Sequence, residues 1–305
     1  MGGLGNQLFQ LAAALYLREE KEVQLDSTFG SIRFNAYSEP EICSMKLPIN
    51  VNVKKGRNNH KNISIKIINF CIRRSAANQN PFSKFVEFLS TVVISLIEMK
   101  YIKVWLNRGV GLDDRLSMAG NNHFYIGYFQ CYKWASNVDV HEKLMKLEPI
   151  VIGPELRNLR DIANIEKPLV VHVRLGDYKD APNLGVLSDQ YYKENIKKVM
   201  SKGKCSRIWL FSDETNLAIK IIPSEYLSNV RIIDVVDNST SSTLEAMRLG
   251  KSYIIANSTF SWWAAFLKFD ASAEVICPNP WFKLAKAPRG LIPDTWQKSH
   301  EHTFS

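Results

Sequence analysis

Short apolar runs alternate with amphipathic stretches through the second half of the chain. The runs 169–173 (LVVHV), 207–211 (RIWLF), 230–236 (VRIIDVV), 253–256 (YIIA) and 274–277 (EVIC) have the length and continuity of strands buried on both faces. Between them, 189–201, 214–221, 241–250 and 259–268 carry apolar residues at helical spacing, the third opening from a Ser/Thr-rich cap and ending on Gly250. Strand and helix alternating at this pitch predict an α/β chain with a parallel, doubly wound sheet. The first half is less regular. A Gly-rich turn precedes a predicted helix over 6–22, with Leu8, Leu11, Ala12, Leu15 and Tyr16 on one side. A basic, polar stretch at 50–76 reads as a solvated loop, or more sharply as a membrane-surface patch, and 84–106 as one long amphipathic helix. Pro149, Pro154 and Pro168 mark a linker near 149–168, which divides the chain into domains 1–160 and 161–305.

Composition narrows the class. With 305 residues, of which 46% are hydrophobic, the chain can bury a sizeable core and is not disordered. The net charge of +9 favours anionic partners, although a basic surface on an ordinary enzyme accounts for it equally. Nucleic acid fits poorly, because aromatic residues do not interleave with the basic stretch. Cysteines 43, 71, 131, 205 and 277 are scattered and odd in number, which predicts neither disulfides nor a zinc cluster. The apolar stretch Phe88–Ile97 is too short to span a bilayer, which takes about 20 residues, and no secretory signal is visible. The expectation is a cytoplasmic protein.

Three polar clusters stand at carboxyl ends of predicted strands: His172 to Tyr178 (HVRLGDY), Phe211 to Glu214 (FSDE) and Ala256 to Trp263 (ANSTFSWW). In an open α/β sheet that end holds the ligand crevice, so the three describe one site. Arg174 suits a phosphate, or else pairs with Asp177. His172 shares its face of the strand and is either functional or a satisfied core residue. Asn257, Ser258 and Thr259 precede a helix, where they hold an anion, cap the helix, or do both. Asp213 contacts a base or ribose, or caps the next helix. Trp262 and Trp263 read as core. The opening Gly2-Gly3-Leu4-Gly5-Asn6-Gln7 has Leu8 where a dinucleotide fingerprint needs glycine, so an NAD site is disfavoured and close approach of Asn6 to a substrate is preferred. No P-loop, zinc motif or Asp-x-Asp pair is present. Protein cations and helix ends would then neutralise a pyrophosphate without a metal.

GGLGNQLFQ at 2–10, HVRLGDY, FSDE and IIANSTFSWWAAFL at 254–267 together resemble the motifs of bacterial α-1,2-fucosyltransferases, glycosyltransferase family 11. The resemblance implies a GT-B-like fold of two Rossmann-type halves with the donor cleft between them, the first half on the acceptor side. It further implies that GDP-β-L-fucose is held mainly by the C-terminal half. Fucose then passes with inversion, and without a metal or other cofactor, to the 2-hydroxyl of a galactose-terminated glycan such as O-antigen or capsule. Such enzymes work at the cytoplasmic face of the inner membrane, with possible peripheral contact. By position, Arg174 matches an arginine on the donor pyrophosphate and His172 the histidine beside it. Ser258, Thr259 and Ser261 match phosphate-holding positions, and Gly5 and Asn6 line the cleft. Asp177 is the candidate general base, with an Arg174 partner as the alternative. The family carries Asp where Thr243 stands, which makes Glu245 the candidate guanine contact. It also begins with a short strand ahead of the glycines, so an unanchored turn and an exposed sheet edge are expected here. A transferase with another donor, or a catalytically dead nucleotide- or glycan-binding protein, are the alternatives.

Overall fold

In the computed structural model, the described residues are 2–18, 21–27, 39–54, 85, 103–107, 110–118, 123–176, 178–179, 181, 183–300 and 303–304. The chain divides into two compact units: residues 1–43, 47–147 and 288–293 in one, and 44–46, 148–287 and 294–305 in the other.

The first unit opens on helix α1 (Leu4–Arg18), which buries Leu8, Leu11, Ala12 and Leu15 of the predicted stripe with Leu4 beside them, while Tyr16, expected on the same side, is exposed. The helix starts earlier than expected. Leu4 N, one of the first-turn donors without an intrahelical partner, donates to the Glu41 carboxylate, and Gln7 Nε2 donates to Gly2 O at 2.9 Å, which holds the turn ahead of the helix. The glycine turn is thereby confined to Gly2 and Gly3. Gly2 has φ of 78°, and a Cβ there would lie 2.3 Å from Asn6 Nδ2, so only glycine fits. Strand β1 (Val23–Asp26) pairs in parallel with β2 (Val51–Lys54), and β3 (Lys103–Leu106) with β4 (His123–Ile126). The long helix expected over 84–106 therefore fails at its end, where the β-branched and aromatic run pairs as a strand. Its remainder lies outside the described residues apart from Phe85, as does most of the 50–76 stretch. Short helices α2 (Tyr132–Ala135) and α3 (Val138–Met145) close this unit, with Trp134 against Phe129 at a ring separation of 5.9 Å.

The second unit begins with α4 (Pro154–Glu166), where a linker was expected. Pro154 sits at the first turn, where proline lacks only a donor that has no intrahelical partner anyway. Asp237 accepts from Glu155 N and Leu156 N, both at 3.1 Å, and so caps the helix from 82 and 81 residues further along the chain. A boundary between 160 and 161 would fall inside α4; the observed division precedes it. Next come β5 (Pro168–Val173), α5 (Asp189–Met200), β6 (Arg207–Ser212), the short α6 (Thr215–Ala218), β7 (Val230–Ile233), α7 (Thr240–Met247), β8 (Ser252–Ile254), α8 (Thr259–Phe266), β9 (Glu274–Pro278) and β10 (Gln297–Ser299). Strand β7 stops before the apolar run does, because Asp237 turns left-handed (φ 50°) to reach α4.

All six strands are parallel, in the order β10-β9-β8-β5-β6-β7. The chain builds outward from β5 in one direction, then returns to its other side, so β5 and β8 flank a topological switch point. Every residue of β5 is buried, which is why its sequence is apolar except at His172. Leu169, Val171, Ile208, Leu210 and Ile254 pack against Tyr191, Ile196 and Val199 of α5. Tyr191 keeps its phenol satisfied by donating to Ile255 O at 2.8 Å. Trp262 and Trp263 are fully buried, edge to face at 4.8 Å. These are the core roles the sequence assigned. Cysteines 43, 131, 205 and 277 are all free thiols. Among the described residues no helix is long and apolar enough to cross a membrane.

Candidate functional site

The site is built where β5, β6 and β8 end. His172 and Arg174 leave β5 on one face. His172 is only 6% exposed and its Nδ1 has no hydrogen-bond partner among the described residues. Burial, reinforced by the neighbouring Arg174 charge and opposed by Asp213, pushes its imidazole down to about 4. It is therefore neutral at physiological pH. Its ring tilts over Phe260 of α8 at 6.4 Å.

Arg174 Nε lies 3.3 Å from Asp213 Oδ2, and its guanidinium stands 5.9 Å from the Tyr178 ring centre. The arginine thus has a carboxylate partner from β6; Asp177, the partner considered from sequence and the candidate base, lies outside the described residues. Asp213 does not cap the next helix. Its Oδ1 accepts from Leu175 N and its Oδ2 from Gly176 N, both at 3.0 Å, so it pins the turn that follows β5. A Cβ on Gly176 would come within 2.7 Å of that carboxylate. Tyr178 adds a second tie, donating to Asn257 O at 2.9 Å. This bracing was missed from sequence. The glycine directly after Arg174-Leu175 was its single local signal.

Around α8 the expected residues divide. The Ser258 hydroxyl accepts from Phe260 N at 3.3 Å and caps the helix, and Thr259 sits half-buried beside it in the first turn. The Asn257 amide is buried and donates to Leu184 O and Gly185 O, each at 3.1 Å, which fastens a neighbouring loop. Ser261 is wholly buried, and its hydroxyl lies 3.4 Å from Ala256 O. Glu245, the candidate guanine contact, is buried on α7 between Arg160 at 2.6 Å and Arg248 at 2.8 Å. Arg248, itself 1% exposed, also donates to Leu267 O at 2.7 Å. Both carboxylate oxygens of Glu245 are thus taken by arginines. Thr243 bonds Ser239 O and Val236 N, so neither position is an open acceptor.

Gly5 and Asn6 belong to the first unit, inside the first turn of α1. Asn6 Oδ1 accepts from Gln130 Nε2 at 2.8 Å, and Gly5 is buried. Among the described residues no group of three or more His, Cys, Asp or Glu side chains is placed to hold a metal ion.

What fold and site define is an α/β protein with an anion-compatible arginine and a capped helix N-terminus at the switch point of a parallel sheet, the place where such sheets bind nucleotide-type ligands. The sequence model for glycosyl transferase family 11 matches residues 99–287. The chain belongs to that family. An alpha-1,2-colitosyltransferase of Escherichia coli is 30% identical over 173 residues, which cover 55% of this chain and 58% of that one. The O-antigen biosynthesis glycosyltransferase WbnK of Escherichia coli is 25% identical over an alignment of 329 positions, covering 97% of both chains. Among solved structures, E. coli ADP-heptose lps heptosyltransferase II aligns over 98% of this chain and 88% of its own, at a TM-score of 0.48 and 9% identity. Fucosyltransferase NodZ from Bradyrhizobium aligns over 88% and 93%, at 0.45 and 15%.

Proposed function

We propose that this protein transfers L-fucose, with inversion, from GDP-β-L-fucose to the 2-hydroxyl of a galactose in a surface glycan of the O-antigen or capsule type. The observation that carries the reading is the switch-point assembly: Arg174 held by Asp213 beside the Ser258-capped end of α8. Glycosyl transfer from a nucleoside diphosphate builds charge on the departing diphosphate. A fixed guanidinium and helix N–H groups stabilise that charge without reorganising. Asp177 is proposed to take the acceptor's proton. Because protein groups can meet the diphosphate charge, the reaction is proposed to need no metal. Work at the cytoplasmic face of the inner membrane, with peripheral contact there, belongs to the same proposal.

One observation favours a second donor. The relative named alpha-1,2-colitosyltransferase suggests GDP-colitose, whose sugar is fucose without its 3-hydroxyl. The experiment is GDP release from both donors with lacto-N-biose, N-acetyllactosamine and lactose as acceptors, with and without EDTA. Acceptor-dependent, EDTA-resistant release that Arg174→Ala abolishes supports the reading, and the preferred donor decides between the sugars. GDP binding without turnover on any pair would instead favour a binding protein, and near-normal turnover by Arg174→Ala would remove the arginine from the chemistry.

A further inference from the structure

The opposite end of the six-stranded sheet gathers cations that the transferase reading does not use. A hollow of about 300 Å³ opens at the amino ends of β5, β8 and β9, lined by Lys167, Lys204, Lys251, Asn164, Asp270 and Glu274, with two serines. Each of its two carboxylates has a lysine partner, Asp270 with Lys251 at 3.2 Å and Glu274 Oε2 with Lys202 at 2.5 Å, while Glu274 Oε1 is buried without a hydrogen-bond partner among the described residues. Among the described residues, Lys167 and Lys204 have no ion-pair partner. Three lysines and two carboxylates line the hollow; with Asp270 paired to Lys251 and Glu274 paired to Lys202 from outside it, Lys167 and Lys204 are the two lining charges left over. Both lysines are exposed, so what brings their charges together is the concavity and not burial. Lys167 also closes α4 in the left-handed conformation, φ 40°, a position where glycine or asparagine is the ordinary residue.

We propose that this hollow is a second ligand site that binds a phosphate-type dianion, with Lys167 and Lys204 supplying the charge. A phosphate presents several acceptor oxygens in a small volume, which matches ammonium groups arriving from different elements. The space exceeds that of one phosphate, so the group can arrive bare or on a small esterified headgroup. The hollow stands about 20 Å from Arg174, the length of β5 at about 3.3 Å per residue. That is beyond the Debye length of about 8 Å, so the two ends act independently and this proposal does not rest on the transferase reading.

The test is calorimetric titration of inorganic phosphate into three forms of the full chain: wild type, Lys167→Ala/Lys204→Ala and Arg174→Ala. Saturable binding that survives Arg174→Ala and weakens about tenfold or more in the double variant is the expected result. Absence of saturable binding, or binding lost in Arg174→Ala and retained in the double variant, overturns it. Thermal melting shows whether the double variant keeps its fold; Lys167→Glu alone, which reverses one charge, gives a second reading if it does not. The source is then separated by sedimentation with phosphatidylcholine vesicles with and without phosphatidic acid. Pelleting that needs phosphatidic acid and both lysines assigns a lipid headgroup. Phosphate binding without pelleting assigns a free phosphate compound.

Discussion

His172 makes folding stability depend on pH in a window where few other groups titrate. Its imidazole sits at about 4 in the folded chain, against an ordinary value of 6.5. The neutral form is favoured by folding, so the contribution is complete above the unfolded value and is lost as pH falls toward the folded one. Between those values the unfolded chain holds a proton that the folded chain refuses, and stability declines by about 1.4 kcal/mol per pH unit. Lowering the pH from 6.5 to 5 should thus cost about 2 kcal/mol through this residue, and the full descent about 3 kcal/mol. The carboxylates held low by cationic or hydroxyl partners, such as Glu166 and Asp270, begin to lose their own contribution only as pH falls into the ordinary carboxylate range, so the step from pH 6.5 to pH 5 reads His172. The assay is urea unfolding at pH 6.5 and pH 5 for wild type and His172→Asn. The variant's intercept can fall for packing reasons, so the readout is the slope. A difference between the two slopes of less than about 0.5 kcal/mol, or a proton-NMR titration of His172 near its ordinary value, would refute the reasoning.

Three further outcomes follow from the same geometry. Glu245→Ala leaves Arg248 buried without its carboxylate and should destabilise the fold by about 3–5 kcal/mol in chemical denaturation; a loss under about 1 kcal/mol would show that water reaches the arginine. Asp213→Ala releases Leu175 N, Gly176 N and Arg174 together. A misplaced arginine should lower kcat by about 10²-fold while KM changes little, and Asp213→Asn should recover part of the loss; equal changes in both parameters would instead point to direct donor binding. Gly176→Ala puts a methyl 2.7 Å from the Asp213 carboxylate and should cost about 1–3 kcal/mol of stability, read from the melting transition.

The parallel sheet was legible because its strands are buried on both faces, so β5, β6, β8 and β9 appear as unbroken apolar runs within a residue or two of their observed ends. Strand β10 was not legible. Gln297–Ser299 carries no apolar signal and exists because β9 offers it an edge. The run at 103–106 was assigned to a helix, since a short apolar segment fits either period and only its pairing with β4 decides. Helix α4 was mistaken for a linker because its prolines were read as breakers, when one of them sits at the permitted first turn and the cap comes from Asp237. At the candidate site, residue types and strand-end placement pointed to the adjoining ends of β5, β6 and β8, where His172, Arg174, Asp213 and the 257–261 segment stand. Which atom bonds which could not be read, because Asp213 and Glu245 act on partners distant in sequence or on backbone groups that no side-chain pattern reports.

Those long-range bonds also show how a carboxylate can sit beside Arg174, the arginine proposed to meet the diphosphate, without cancelling it. Asp213 accepts two backbone N–H groups in addition to Arg174, so its charge is shared with peptide dipoles and is not spent on the guanidinium alone. Tyr178 ties the same turn to the backbone at Asn257, one residue before the Ser258 cap. The three strand ends are therefore one braced unit, in which displacing any one of them moves the arginine relative to the helix N-terminus. His172 remains uncharged beside them because Arg174 and burial both oppose its protonation. On the proposed function, an incoming diphosphate would meet one oriented guanidinium and the N–H groups of α8, a field fixed before the ligand arrives, which is the condition under which electrostatic stabilisation favours the transition state over the ground state.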